Sequence, residues 1–121
     1  MPIVKIIIAP ELQESFQEKS SLLKNALPVL IDSHFSPKPG TQQIMVIPAL
    51  LALEGCSILI EIFHRHSLLR TADIRQSFVD DINEFFSSHF NSSVRVRAIS
   101  IEPTHIAAQD KFMESSHDNG I

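Results

Sequence analysis

The chain reads as an α+β domain: a duplicated β-α-β unit, βαββαβ in order, giving a four-stranded mixed sheet with two helices on one face. Three observations predict this. Short apolar runs rich in isoleucine and valine alternate with longer stretches whose apolar residues recur at helical spacing. A helix between two strands serves as a crossover, which makes the strands it joins parallel. The two halves also repeat one another at an offset of 55 residues: Ser33-His34-Phe35 returns as Ser88-His89-Phe90, Pro48 as Pro103, Ile3 as Ile58, Ile7 as Ile62 and Ile44 as Ile99.

The first strand is the opening run Met1-Pro2-Ile3-Val4-Lys5-Ile6-Ile7-Ile8, β-branched and apolar enough to be buried on at least one face. Ala9-Pro10-Glu11 breaks it. From about Gln13 the residues Phe16, Leu23, Leu27, Leu30, Ile31, His34 and Phe35 mark an amphipathic helix, and Pro28 inside it should kink or split it because a backbone donor is missing there. Ser36-Pro37-Lys38-Pro39-Gly40 stops the helix. A second strand, about Gln43 to Ile47, ends at Pro48, and Ala49 to Gly55 reads as a connection or a small edge strand. Ser57 to Phe63 is the third strand. Thr71 suits the N-cap of a second helix, with Asp73 in its first turn to complement the dipole and Ile74, Phe78, Ile82, Phe85 and Phe86 as its stripe. Val94 to Ile101 is the fourth strand, closed by Glu102-Pro103. The domain is expected to span 1–108, with 109–121 a polar C-terminal tail that is loose from Ser115 to Gly120.

Composition excludes several classes. With 121 residues, 44% of them hydrophobic, the chain suits one ordered domain that oligomer burial would help. No run approaches the roughly 20 apolar residues of a membrane span, and the apolar start lacks a signal peptide's features, so no membrane partner and a cytoplasmic location are expected. A net charge of −4 with few aromatics argues against nucleic acid. Cys56 is the only cysteine, which rules out an internal disulfide and a thiolate metal cluster. No cofactor and no metal are expected.

The start of the chain carries the chemistry. A small second residue usually permits removal of the initiator methionine, which would leave Pro2 as a secondary amine at the end of a core strand. A low-dielectric site penalises the cation, so such an amine falls below the roughly 8 of an ordinary α-amino group and becomes a general base near neutral pH. If Met1 is retained, that nitrogen is an amide and no base at all.

Other constellations favour plainer readings. His64-Arg65-His66 offers two imidazoles at a strand end without a third ligand, and reads as a polar terminus. Glu61 among isoleucines is either a buried acid or, preferably, a residue facing solvent or a neighbouring subunit. His34 and His89 are matching helix-end residues, and Cys56 has no histidine partner. Neither a Gly-rich phosphate loop nor a nucleophile elbow is present.

A duplicated β-α-β chain beginning Met-Pro resembles the tautomerase superfamily, of the 4-oxalocrotonate tautomerase and macrophage migration inhibitory factor type, and within it 5-carboxymethyl-2-hydroxymuconate isomerase. The resemblance runs over nearly the whole chain, through Pro2, the Leu-rich first helix with Pro28 before Pro37, the Gly40 turn, Arg70-Thr71 at the second helix, and Ile99 to Pro103 followed by Thr104-His105. It implies a homotrimer whose sheets enclose a central barrel. It also implies an isomerase in which Pro2 moves a proton between carbon and oxygen of a small anionic enol, dienol or keto acid, with arginines holding the carboxylate. Arg70 matches an arginine of the isomerase, Arg97 holds the pseudo-equivalent position in the second half, and Arg95 lies two residues before it; these three are the substrate-binding candidates. Gln42 stands where the isomerase carries arginine after the Gly40 turn, and can hydrogen-bond an oxygen but supplies no charge. That departure leaves open a non-catalytic oligomeric or small-ligand-binding domain on the same scaffold.

Overall fold

The structure is a computed structural model and describes residues 2–113. Four strands, β1 (Pro2–Ile8), β2 (Gln43–Pro48), β3 (Ile58–Arg65) and β4 (Val94–Ile101), form one sheet in the order β2-β1-β3-β4. β1 pairs parallel with β2, β3 pairs parallel with β4, and the two units meet where β1 runs antiparallel to β3. This is the expected mixed sheet.

The first crossover is α1 (Gln13–Glu18) followed by α2 (Ser20–Phe35), and the second is α3 (Ala72–Phe90). The kink or split expected at Pro28 is not found: α2 runs unbroken through it, and the crossover breaks instead at Lys19, whose φ of −101° and ψ of 19° depart from helical values. Leu27 and Ile31 flank that proline and are buried on the sheet, so packing holds the turn despite the missing donor. Lys19 instead reaches the second crossover, where its ammonium donates to the carbonyl of His89 and lies 5.0 Å from the Phe90 ring, at the C-terminal end of α3. Thr71 caps α3 as expected, accepting from the Ile74 amide at 3.3 Å. The segment Ala49 to Gly55 is a connection without strand pairing, and Leu50, Leu51 and Leu53 on it are exposed.

Alternation decides what is buried. Val4, Ile6 and Ile8 of β1 and Ile58, Ile60 and Ile62 of β3 point under the helices, where they meet Leu23, Leu27, Ile31, Phe35, Phe78, Ile82, Phe86 and Phe90. Phe16 of α1 stacks on Phe90 with ring centroids 3.9 Å apart, tying the first crossover to the second.

The duplication is real in the helices and shifted in the strands. At the 55-residue offset Leu23, Leu27, Ile31 and Phe35 fall on Phe78, Ile82, Phe86 and Phe90, all buried, and the two C-caps Ser36 and Asn91 are both left-handed, with φ of 43° and 48°. The strands differ, because β1 and β3 both bury their even-numbered residues and an odd offset therefore sets one face on the other. Ile3 and Ile7 lie on the open face, whereas Ile58 and Ile62 are in the core; Ile44 packs on the core and Ile99 is 41% exposed on the open side. Those three isoleucine matches are not structural equivalents.

Residues 106–113 carry no regular structure, and Phe112 and Met113 are exposed. The tail expected from Ser115 to Gly120 lies outside the described residues. No helix among the described residues is long and apolar enough to cross a membrane.

Truncating Phe86, fully buried in the second crossover, should cost about 3–5 kcal/mol of unfolding free energy, and truncating its half-buried neighbour Phe85 clearly less. Urea unfolding of Phe86→Ala and Phe85→Ala measures both; an equal or reversed order would contradict the packing.

Candidate functional site

Pro2 is fully buried, on the helix-covered face of β1, at the end of the sheet where the chain begins. Its antiparallel partner on β3 is His64, and His64 in turn pairs with Ser100 on β4. On the other side, Ile3 pairs with Gln43 of β2, so Gln42 stands beside Pro2. Gln42, just before β2, thus continues the row of Pro2, His64 and Ser100 across the sheet, and their even spacing from Ile44, Val4, Ile62 and Ala98 turns them to the helix side. This row also gathers the unsatisfied polar groups. Gln42 Oε1, His64 Nε2 and Ser100 Oγ are the buried side-chain atoms without a hydrogen-bond partner among the described residues.

His64 is wholly buried. Its ring packs on Phe35, the last residue of α2, at 4.7 Å between centroids, and Phe35 packs on Phe78 at 4.6 Å. The imidazole Nδ1 lies 3.2 Å from the Arg65 carbonyl oxygen, which can only accept, so in the neutral ring Nδ1 carries the hydrogen and Nε2 is bare. Burial pushes His64 below its ordinary 6.5; the bond to the Arg65 carbonyl pulls the other way, and the nearby charges of Arg70, Arg75 and His66 add to the depression.

Arg70 closes this end of the sheet. It donates to the Arg65 carbonyl and to the Phe35 carbonyl, both at 3.3 Å, and its guanidinium lies 5.2 Å from the centre of the Phe35 ring. The Phe35 carbonyl belongs to the last turn of α2, where the helix dipole favours a cation. Two of its five N–H groups are therefore spent on the backbone, and the others remain for a ligand. Arg75 supports it by donating to the Arg70 carbonyl at 2.9 Å.

The sequence-derived candidates divide into two groups. Pro2 and Arg70 both adjoin His64, and Gln42 stands on the other side of Pro2. Arg95 and Arg97 do not join them: their alternation on β4 sets them opposite Val96 and Ala98, on the open face of the sheet at its outer edge. Arg97 is level with Glu61 and Lys5, three positions or about 10 Å along the strands from the Pro2 row. Both arginines line a cleft of about 310 Å³ with Cys56, Asp80 and Asn83, and Arg97 also lines one of about 460 Å³ with Ala72, Arg75 and Gln76. Another of about 300 Å³, with Phe16, Leu23 and Val46 in its wall, opens at the far end of β1 beside Ile8. Pro2 and His64 line none of these three.

His64 and Ser100 are the site residues that the sequence pattern does not single out. The apolar run predicts a third strand ending at Phe63, but the strand continues to Arg65 and takes His64 into the core. A signal is nonetheless present: His64 continues the even series Ile58, Ile60, Ile62, so extending the alternation by one step puts an imidazole on the buried face. His66, exposed and beyond the strand end, does not share that environment, and no cluster of three or more metal-ligating side chains exists among the described residues. Glu61 lies half-buried on the open face. His34 pairs with Asp81 across the two helices at 3.0 Å.

No protein-family model and no curated protein sequence matches this chain. Solved structures do. A fused 4-OT, a wild-type symmetric trimer, superposes with a TM-score of 0.61 at 17% identity, over 88% of this chain and 93% of that one. N1, a member of the cis-3-chloroacrylic acid dehalogenase family, gives 0.64 at 15% over 97% and 87%. Malonate semialdehyde decarboxylase gives 0.59 at 14% over 89% and 91%. The fold is tautomerase-like. At these identities the likeness speaks for architecture, and the chemistry must come from the residues.

A histidine buried neutral carries a pH signature. Protonating it costs more in the folded than in the unfolded chain, so its contribution is complete above 6.5 and is withdrawn as pH falls through that value towards the lower folded-state pKa. The unfolding free energy of the wild type minus that of His64→Leu should therefore drop below pH 6.5, by at most about 1.4 kcal/mol per pH unit. Denaturant titrations at several pH values measure it; a difference that stays flat or grows on acidification would show that His64 is not held neutral.

Proposed function

We propose that this chain is an isomerase of the tautomerase type, in which Pro2, freed as a secondary amine by removal of Met1, is the general base that shifts a proton in a small enol, dienol or keto acid. The observation that carries this reading is the complete burial of Pro2 at the open end of a central strand, beside a neutral imidazole and an arginine. A dry site keeps the amine from being protonated permanently, and a cation at the rim attracts a carboxylate. Malonate semialdehyde decarboxylase, one of the similar structures, was solved also with its first-residue proline replaced by alanine, which supports looking for chemistry at that position here.

The proton path is short. The neutral amine takes a proton from one substrate position, an enol oxygen or an acidic carbon, and as a secondary ammonium returns it to the other. Arg70, with N–H groups to spare, holds the carboxylate and absorbs charge as the dienolate forms. Gln42 adds a neutral polar contact, so this chain draws less charge to its substrate than the isomerase it resembles.

The assembly we propose is a homotrimer. Ile3, Ile7, Met45, Ile47, Leu59, Phe63 and Ile99 share the open face of the sheet, and β2 and β4 each leave one edge unpaired, features that copies of the same chain would cover. A fused 4-OT is itself a symmetric trimer. In such an assembly Arg95 and Arg97 serve the Pro2 of a neighbouring subunit, since within one protomer they face away from it.

A second reading is a non-catalytic binding domain on the same scaffold. It draws on the enclosure of Pro2 and His64 inside the protomer, which line none of the clefts of about 300–460 Å³; a cleft of about 380 Å³ reaches the row only at Gln42.

Pro2→Ala should reduce turnover of a simple enol acid such as phenylenolpyruvate by about 100-fold or more, and intact mass should show the wild-type chain without Met1. Undiminished turnover, or a retained methionine, would end the enzymatic proposal and leave the binding domain. Separately, mixing and reassembling Pro2→Ala chains with Arg97→Ala chains should restore part of the activity each lacks alone, because some sites then combine an intact proline with an intact arginine. Failure to complement by two inactive variants that do exchange subunits would place Arg97 outside the site.

A further inference from the structure

Two of the three unpartnered buried atoms in the row at the start of the sheet, His64 Nε2 and Gln42 Oε1, can only accept; the third, Ser100 Oγ, is a hydroxyl on the far side of His64 from Pro2. His64 Nε2 is bare because Nδ1 faces the Arg65 carbonyl oxygen, and Gln42 Oε1 is a carbonyl oxygen; both are buried and unpartnered among the described residues. Leaving such atoms unpaired is costly, so each is expected to meet a hydrogen. They flank one position. Gln42 stands on the β2 side of Pro2 and His64 on the β3 side. As an amide, the proline nitrogen has no hydrogen to give. As a free secondary amine it has one, and as the ammonium it has two, which equals the number of acceptors beside it.

We propose that His64 Nε2 and Gln42 Oε1 are the paired acceptors for the protonated amine of the processed Pro2, making His64 and Gln42 positioning residues for the base. The inference rests on the reading of Pro2 as a free amine and adds to it the groups that hold the proton between its two transfers. No bond to His64 forms or breaks. The amine gains a proton from the substrate, its two N–H groups point at the two acceptors, and the same nitrogen later gives a proton back. Burial keeps the imidazole neutral and so able to accept. The charges acting on His64 are cationic, from Arg70 before α3, Arg75 on α3 and His66 beyond the end of β3, while at the other end of the row Gln42 shares a cleft with Asp32 of α2 and Lys38. On the remaining sides α2 offers the uncharged Phe35 ring and β4 the hydroxyl of Ser100, while Lys5 of β1 lies on the opposite face. The acceptors therefore oppose both desolvation and these cations, and set how basic the amine can be.

The test is the titration of the Pro2 amine, followed by nitrogen NMR on protein labelled with 15N-proline, alongside the pH dependence of kcat/KM. In His64→Leu the amine should titrate about one pH unit lower than in the wild type, in Gln42→Leu it should also titrate lower, and the acidic limb of the pH–rate profile should move with it. His64→Gln, which returns a carbonyl acceptor, should recover at least half of the shift. Because Gln42 precedes β2 and is only half-buried, Gln42→Leu keeps the test decisive should His64→Leu fail to fold. An amine that titrates at the same or a higher pH in the leucine variants overturns the acceptor pair alone. A chain in which no proline amine titrates removes the base itself, and with it both this inference and the isomerase function.

Discussion

The constraint on which this molecule depends is that its first strand lies inside the sheet. β1 is hydrogen-bonded along one edge to β2 and along the other to β3, and its even-numbered side chains are sealed under two helical crossovers. A terminal segment is ordinarily the loosest part of a domain. Here the second residue of the chain is fixed in position by strands on both sides, so a group placed there is as well oriented as one in the middle of a helix. The chemistry proposed for Pro2 follows from this position before any partner is considered.

Alternation then determines which groups share the site. With a period of two, every side chain on the helix side of β1 is level with one on the helix side of each neighbour, and the row that begins at Pro2 must contain the residues at Gln42, His64 and Ser100. The same rule sends Lys5, Glu61, Arg95 and Arg97 to the other face. Electrostatics differ accordingly. The closed row is polar but almost uncharged, with Arg70 at its rim tied to the end of α2, whereas the open face carries both signs of charge among isoleucines, methionine and phenylalanine. A proton-transfer base suits the first environment and a subunit contact the second.

Much of the architecture is legible in the residues. The β-branched runs mark all four strands, β4 to its terminal residues, and Thr71 marks the start of α3, because those features depend on local sequence. The repeat is legible in the helices, whose buried positions recur at 55 residues, and misleading in the strands, where β1 and β3 both bury even-numbered residues and an odd offset sets one face on the other. Pro28 shows the opposite limit. Its local effect is outweighed by Leu27 and Ile31 packed on the sheet, and the break lies instead at Lys19, whose ammonium reaches α3. His64 is hidden for a related reason: polar residues at a strand end suggest a terminus, and only the pairing with Pro2 and Ser100 shows that the strand continues.

Within a single protomer the proposed site is closed. Pro2 and His64 are enclosed, the larger clefts lie elsewhere, and the exposed leucines at 50, 51 and 53 project from a connection with no strand partner. A sheet that is apolar on both faces but covered on one has a second face still to bury, and two unpaired edges through which to bury it. Association through that face would bring arginines of one copy towards the rim of another, where a substrate carboxylate would meet them. In the proposed assembly a cation would come from a neighbouring chain, and the uncharged Gln42 would leave its carbonyl oxygen free to accept from the amine of Pro2.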